Sequence, residues 1–122
     1  MQTKAGVIEW APFKTKPGVR EQELLAASDA LQQFLVKQRG FVRRELLAGK
    51  DGWADLVWWT DEESAQAIMA AVSQSPECHH YFALMEGMDH ADPSAGVSHF
   101  RIARSYPASA PTASESAPRR SP

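Results

Sequence analysis

The residues best suited to chemistry fall in one short run, residues 78–82 (CHHYF), which directly follows Ser75-Pro76. A histidine that faces a cleft can act as a general base, because its imidazole titrates close to neutral pH. We therefore predict His79 and His80 as candidate catalytic residues, one of which acts as a general base. The alternative is that both are surface or half-buried residues of a helix with no chemical role.

The spacing of these residues does not suit a metal ion or a covalent mechanism. Successive residues of a helix point about 100° apart, so His79 and His80 do not both ligate one metal, and the sequence has no His-x3-His or Cys-x2-Cys pair. We predict neither a metal nor a cofactor. Cys78 is the single cysteine, which rules out an internal disulfide, and without any asparagine no Cys-His-Asn set exists. We expect Cys78 to be a small buried hydrophobe.

A further group of residues could bind a flat aromatic ligand, because aromatic and other apolar side chains line most small-molecule clefts. The alternative is that these side chains only pack the core. The predicted substrate-binding residues are Trp10, Trp58, Trp59, Met69, Tyr81, Phe82, Met85 and Phe100.

Composition limits the classes of protein to which the chain can belong. Its 122 residues are 43% hydrophobic and 23% charged, which is typical of a single globular domain. The formal net charge of −2 attracts no phosphate backbone, so we predict no nucleic-acid partner. No stretch has the roughly 18 apolar residues of a membrane span, no apolar signal core follows the first residues, and we expect a cytoplasmic location. Residues 107–122 are rich in Pro, Ala and Ser and are predicted to be a disordered tail after a domain at 1–106.

The pattern of apolar residues and turn signals predicts seven elements in the order β-α-β-β-α-α-β. Glycine and proline separate a first strand, a helix at 19–39 and a hairpin of two strands around a turn at 49–52. Thr60 and the glutamate three residues later predict the N-cap of the second helix, and Ser75-Pro76 begins the third. This order favours a ferredoxin-like α+β fold, in which a four-stranded antiparallel sheet carries helices on one face. The predicted strands are 5–13, 41–48, 53–60 and 95–106.

Alternation along the strands divides the predicted sheet into two faces. The more apolar set, interrupted only by Arg44, is expected to face the helices: Ile8, Trp10, Val42, Leu46, Leu56, Trp58, Phe100 and Ile102. The opposite face mixes Val7, Val57 and Trp59 with charges of both signs. Because this face is too apolar for solvent, we predict that it pairs with a second copy in a homodimer; the alternative is a charged solvent face with a few aromatic residues. The predicted interface residues are Glu9, Arg43, Glu45, Asp55, Trp59, His99 and Arg101.

Several of these features together resemble one known family. The element order, the KPG turn at 16–18, the GFV opening of the second strand at 40–42, and the runs 59–65 (WTDEESA) and 75–82 (SPECHHYF) resemble the antibiotic biosynthesis monooxygenase-like domains of the dimeric α+β barrel superfamily. The resemblance covers about residues 5–106. It implies a homodimer whose two sheets close into a barrel, with a hydrophobic cleft in each subunit. It also implies cofactor-independent oxidation of quinol-like polycyclic substrates, or haem degradation, in that cleft.

The residues that such relatives use for catalysis are only partly present. The resemblance implies an asparagine and a tryptophan near the cleft; this sequence contains no asparagine, and Trp58 or Trp59 can stand for the tryptophan. His79 and His80 lie near the histidine position of the haem-degrading relatives. We predict a cofactor-independent monooxygenase-like enzyme that acts on an aromatic or quinol-type molecule. Two alternatives stay open: a protein that binds a small apolar ligand without chemistry, and a structural homodimer whose cleft is filled by its own side chains.

Overall fold

The computed structural model describes residues 4–88 and 96–108. Its elements are β1 Val7–Phe13, α1 Glu21–Leu35, β2 Phe41–Ala48, β3 Trp53–Trp59, α2 Glu62–Val72, α3 Pro76–Ala83 and β4 Ser98–Arg101. The strands form one antiparallel sheet in the order β2-β3-β1-β4. This arrangement confirms the predicted ferredoxin-like α+β fold and the predicted order of elements. Of the predicted tail, residues 109–122 lie outside the described residues.

The ends of several elements differ from the prediction: β1 begins at Val7 rather than at residue 5, β3 ends at Trp59 rather than at residue 60, and β4 is Ser98–Arg101 where 95–106 was predicted. The N-cap of α2 is Asp61 rather than Thr60, because the Asp61 carboxylate accepts the backbone N–H of Ser64 at 2.8 Å. Helix α1 ends at Leu35 rather than at residue 39, since the following N–H groups bond three residues back in tighter turns. No helix within residues 4–88 and 96–108 is long and apolar enough to cross a membrane.

The start of α3 and the turn before β2 follow the prediction. The Ser75 hydroxyl accepts the backbone N–H of Cys78 at 3.2 Å, and Pro76 occupies the first turn of α3. Gly40, which precedes β2, has φ of 83°. A Cβ atom at Gly40 would lie 2.1 Å from the Ser64 hydroxyl oxygen, so only glycine lets the chain pass this close to α2.

The hydrophobic core fills the space between the sheet and the three helices. Helix α1 contributes the predicted stripe of Leu24, Ala27, Leu31 and Leu35. Cys78 is fully buried, as predicted. Removing each large apolar side chain from water stabilises the fold by about 1.5–3 kcal/mol, so this layer holds the helices on the sheet. The other buried hydrophobic residues of the core are Val7, Val57, Trp59, Ala65, Ile68, Val72, Tyr81, Leu84 and Met85.

The two faces of the sheet are the reverse of the prediction in β1, β3 and β4. The residues of β1 and β3 that are buried beneath the helices are Val7, Glu9, Asp55, Val57 and Trp59. In β4, His99 lies on the same side, because it is directly opposite Glu9. Only β2 follows the prediction, with Leu46 packed against the core and Arg44 on the same side.

A β-bulge at the start of β2 explains the error. Phe41 is opposite Trp59, but Arg43 is opposite Trp58, so the ladder accommodates one extra residue between these pairs. An unbroken ladder would set Arg44 opposite Leu56, the grouping that the prediction assumed. The bulge instead sets Arg44 opposite Val57. Beyond the bulge, even-numbered residues of β2 therefore share a face with odd-numbered residues of β3.

The face that points away from the helices, here called the outer face, is largely apolar. It carries Ile8, Trp10, Leu56, Trp58 and Phe100. Trp10 is 37% exposed and Phe100 is 56% exposed. The Arg43 guanidinium lies 4.2 Å from the centroid of the Trp58 ring and pairs with Glu45. The bare apolar face that the sequence predicts is therefore present, but it consists of other residues.

Candidate functional site

A cavity of about 90 Å³ lies between the helix side of the sheet and the three helices. All three helices and strands β1, β2 and β3 contribute to its wall, and Gly96 and Val97 lie beside it just before β4. Most of this wall is aliphatic, aromatic or thioether. The side chains that give it this character include Trp59, Ile68, Met69, Phe82, Met85 and Met88.

Five of the eight predicted substrate-binding residues line the cavity: Trp59, Met69, Tyr81, Phe82 and Met85. The other three lie on the outer face, because β1, β3 and β4 present the opposite side to the helices: Trp10, Trp58 and Phe100. The predicted apolar cleft thus forms, and the helix residues predicted for it reach it. Of the strand residues in this set, Trp59 lies on the cavity side, where its second predicted position, in the dimer interface, is not met.

The two predicted catalytic histidines do not reach the cavity. His79 and His80 are exposed, and the His79 Nε2 atom lies 2.8 Å from the backbone oxygen of Ser73. Cys78 and Tyr81 are completely buried on the opposite side of α3. Because residues three apart share one side of a helix, the two positions between them must point outward. The expectation that one of these histidines faces the cleft is therefore not met.

Four of the seven residues predicted for the dimer interface lie on the helix side of the sheet, inside the subunit: Glu9, Asp55, Trp59 and His99. Residues in this position cannot meet the sheet of a second copy. Hydrogen-bond donors within the subunit hold the carboxyl groups of Glu9 and Asp55 on the helix side of the sheet. The charge of these residues therefore did not require them to point toward solvent. The other three are exposed: Arg43 and Glu45 on the outer face, and Arg101 on the helix side, because it is directly opposite Val7.

One polar cluster in the cavity wall is centred on Asp55. Its carboxylate accepts the Arg44 Nε–H at 2.9 Å and the Tyr81 hydroxyl at 2.8 Å. Arg44 also donates from Nη2 to the Ser28 hydroxyl at 2.8 Å and to the Tyr81 hydroxyl oxygen at 3.2 Å. Burial raises the pKa of Asp55, and the charge of Arg44 offsets part of this rise. Burial and the neighbouring Asp55 raise the pKa of Tyr81, which keeps its hydroxyl a donor.

Glu9 forms a second polar position, which has fewer partners. Its Oε1 atom accepts the Trp59 indole N–H at 3.1 Å and lies 3.5 Å from His99 Nε2. Burial raises the pKa of Glu9, while the Trp59 hydrogen bond and His99 lower it. Asp55, diagonal to Glu9 on the next strand, adds a small further increase. Glu9 is thus a buried acid in the cavity wall whose proton affinity exceeds that of an exposed glutamate.

The sequence contains a signal for both buried acids besides the alternation that predicted the two faces. Glu9 and Asp55 each lie in the middle of a short strand whose neighbours are apolar on both sides, VIEWAPF and WADLVWW. In such a strand, hydrogen-bond donors inside the protein, rather than contact with solvent, decide which side of the sheet an acidic side chain occupies. Within residues 4–88 and 96–108 no group of three or more His, Cys, Asp or Glu residues could hold a metal ion. The absence of a cofactor stays a prediction.

No protein-family model matches the sequence, and no curated protein matches it significantly. Solved structures do match. The cofactor-independent oxygenase SnoaB from Streptomyces nogalater superposes with a TM-score of 0.61 at 18% identity, over 86% of this chain and 98% of its own. The monooxygenase ActVA-Orf6 of Streptomyces coelicolor, solved in complex with nanaomycin D, gives a TM-score of 0.55 at 16% identity, over 88% and 94%.

A third structure is described as a dimeric ferredoxin-like protein of unknown function from Jannaschia sp. It gives a TM-score of 0.53 at 9% identity, over 79% of this chain and 96% of its own. At these identities the likeness concerns the fold. The chain therefore shares the ferredoxin-like α+β fold of these structures, which is the fold that the resemblance in its sequence implied.

Proposed function

We propose that this protein is a cofactor-independent monooxygenase-like enzyme that oxidises a flat aromatic phenol or quinol in the cavity, with Glu9 as the proton acceptor. The observation that carries the proposal is the position of Glu9. It is a buried carboxyl group with a raised pKa in the wall of an aromatic and methionine-rich cavity. The fold shared with two oxygenases supports the reaction class.

A phenol becomes a much better electron donor to O2 when it loses its proton, so the enzyme has to supply a base at the ring oxygen. A carboxylate with a raised pKa is a stronger base than an ordinary glutamate, and general bases of this kind accelerate proton transfer by about 100- to 10,000-fold. In 1-naphthol, one oxygen atom of O2 enters the ring as a carbonyl and the other leaves as water. The substrate itself supplies the electrons and both hydrogens of that water.

The side chains of the cavity wall explain how such a ring fits. The cavity of about 90 Å³ is smaller than the roughly 150 Å³ that takes up benzene in an engineered protein, so a two-ring substrate has to displace side chains. Met69, Met85 and Met88 line it, and methionine is the most adaptable of the apolar residues. Trp59 is held by its bond to Glu9 and by edge-to-face contact with Phe41, so its indole is a fixed surface beside the base.

We further propose that two copies pair through the outer face. A single subunit leaves Trp10 and Phe100 exposed there, next to the half-buried Trp58. Of the residues predicted for this contact, Arg43 and Glu45 lie on the outer face and can form ion pairs at its margin. The matching structure from Jannaschia sp. is described as dimeric, which supports the same assembly here. The cytoplasmic location stays a prediction.

Oxygen uptake with 1-naphthol tests the proposed reaction. We expect Glu9→Gln to lower kcat/KM by about 100- to 10,000-fold, because the amide cannot accept the proton. Glu45→Gln, the same substitution on the outer face, is the matched control and leaves turnover unchanged. The His79→Ala/His80→Ala double variant also keeps its activity, since neither ring reaches the cavity.

Two results would contradict the proposal. Undiminished oxygen uptake in Glu9→Gln removes this carboxyl group from the mechanism, and loss of uptake in the double histidine variant returns the role of base to α3. If 1-naphthol quenches the tryptophan fluorescence of the protein, and does so less in Trp59→Phe, without any oxygen uptake, the protein binds the ring without chemistry, which is the alternative considered from the sequence.

A further inference from the structure

We propose that His99 is a positioning residue for Glu9, whose imidazole keeps the buried carboxyl group ionised at the cavity wall. The proposal rests on the proposed function, because it assigns a partner to the base of that reaction. His99 belongs to the edge strand β4 and lies directly opposite Glu9 in the register of β1 and β4. Side chains of directly opposed residues share one face of a sheet and contact each other.

The geometry of this pair suits an ion pair that closes when the imidazole is protonated. His99 Nε2 lies 3.5 Å from Glu9 Oε1, which is long for a hydrogen bond and within the range of an ion pair. In the described part of the chain, this buried nitrogen has no hydrogen-bonding partner. A small rotation of either side chain brings the two atoms together. The His99 side chain is 16% exposed, so the pair lies at the edge of the buried region.

The other groups around Glu9 cannot perform this role. Trp59 donates a neutral N–H, and Asp55 is an acid that disfavours a second negative charge. Arg44 lines the same cavity, but its guanidinium is bonded to Asp55, Ser28 and Tyr81. Helices α1 and α2 present only apolar side chains to the cavity: Leu31, Leu35, Ile68, Met69 and Val72. Arg101 shares this side of β4, but it is exposed and lies opposite Val7 rather than Glu9. Among the described residues, His99 is therefore the basic side chain directly opposite Glu9.

The consequence concerns the state of Glu9 before the substrate binds. Burial favours the protonated carboxyl group, and a protonated carboxyl group cannot take a proton from a phenol. The positive charge of His99 opposes burial and favours the carboxylate. Without it, a larger part of the enzyme carries an inactive, protonated Glu9.

A titration of the free protein tests the pair without any substrate. The side-chain carboxyl carbon of Glu9 is labelled with carbon-13, and its NMR resonance is assigned by its loss in Glu9→Gln. The chemical shift of this resonance is then followed against pH. We expect the pKa of Glu9 to rise in His99→Gln, which keeps a hydrogen-bond donor but cannot be charged. His80→Gln, the same substitution at an exposed position, leaves the pKa of Glu9 unchanged. An unchanged pKa in His99→Gln would overturn the proposal.

The pH profile of 1-naphthol oxidation separates a positioning role from a merely structural one. In His99→Gln we expect the acid limb of kcat/KM to move to higher pH, with a loss of about 3- to 10-fold on that limb and little change at the alkaline plateau. An equal loss at every pH indicates structural damage and contradicts the proposal. If the unmodified protein consumes no oxygen, the proposed function fails, and the NMR titration still decides whether His99 holds Glu9.

Discussion

On the helix side of the sheet, Arg44 and Asp55 are buried and satisfied by each other, whereas on the outer face Arg43 and Glu45 form their ion pair in water. Aromatic residues are divided in the same way, with Trp59 buried at the cavity and Trp58 half-buried under Arg43. Both faces thus contain the same residue types. What distinguishes them is whether the paired polar groups are buried or exposed to water, and not how apolar the face is.

The largest expected difference between the two faces is in the adjacent arginines. Arg44→Met leaves the Asp55 carboxylate buried without its cation, which costs about 3–5 kcal/mol of unfolding free energy. Arg43→Met removes an exposed pair and costs at most about 1 kcal/mol. Urea unfolding followed by tryptophan fluorescence measures both.

A second variant distinguishes the loss of the ion pair from damage to packing. Arg44→Met combined with Asp55→Leu removes both charges, and we expect it to recover a large part of the stability lost in Arg44→Met. Equal, small losses in Arg43→Met and Arg44→Met would show that the two faces do not differ in the way described.

We expect a smaller difference between the two faces in the pH dependence of stability. Its sign follows from the raised pKa of Glu9. Burial raises the pKa of Glu9 above its usual 4.5, so the folded protein binds this proton more tightly than the unfolded chain. The resulting stabilisation is complete below the unfolded pKa and is lost as pH rises through the folded pKa. We expect Glu9→Gln to flatten this fall in stability and to be at least as stable as the unmodified protein at pH 7.

Urea midpoints between pH 4 and pH 8 measure this effect. Glu45→Gln, on the outer face, should keep the full pH dependence. Burial also raises the pKa of Asp55, so some pH dependence of stability remains in Glu9→Gln. A steeper fall in Glu9→Gln than in the unmodified protein would contradict this assignment. Higher stability together with lost turnover would mark Glu9 as a residue retained for function.

The smallest effect on the subunit itself is expected on the outer face. Trp10→Glu places a charge where Trp10 is already 37% exposed, so subunit stability should change by only about 0.5 kcal/mol. Self-association should be lost, because the charge would be buried against the second copy without a partner. Light scattering at micromolar concentration measures this. Single chains in the unmodified protein would contradict the proposed dimer.

Local signals in the sequence were sufficient for the helices and for the order of the strands. The Ser75-Pro76 start of α3, the α1 stripe and the hairpin turn closed by the Gly49 N–H to the Gly52 oxygen at 2.7 Å all appear as predicted. Each depends on a few neighbouring residues, whose chemistry is visible in the sequence. The fold class followed from the order of these elements.

The candidate site could be predicted only in part, because it depends on contacts between distant residues. Met69, Tyr81 and Phe82 of helices α2 and α3, and Met85 just after α3, line the cavity, while their role in binding a substrate stays a prediction. Glu9 was assigned to the wrong side, since its position depends on Trp59, fifty residues away in sequence. The outward position of His79 and His80 could have been derived from the burial of Cys78 three residues before Tyr81.

The bulge in β2 affects which alignment of β2 and β3 the hairpin adopts as the chain folds. Residues 43–47 (RRELL) repeat their types in pairs, so a slip of one residue would still bring an arginine and a leucine to the cavity side. The slipped ladder would, however, set Glu45 directly against Asp55, two acids side by side beneath the helices. Mutual repulsion penalises that misaligned hairpin, so the one acidic residue in this run protects the correct alignment while the chain folds.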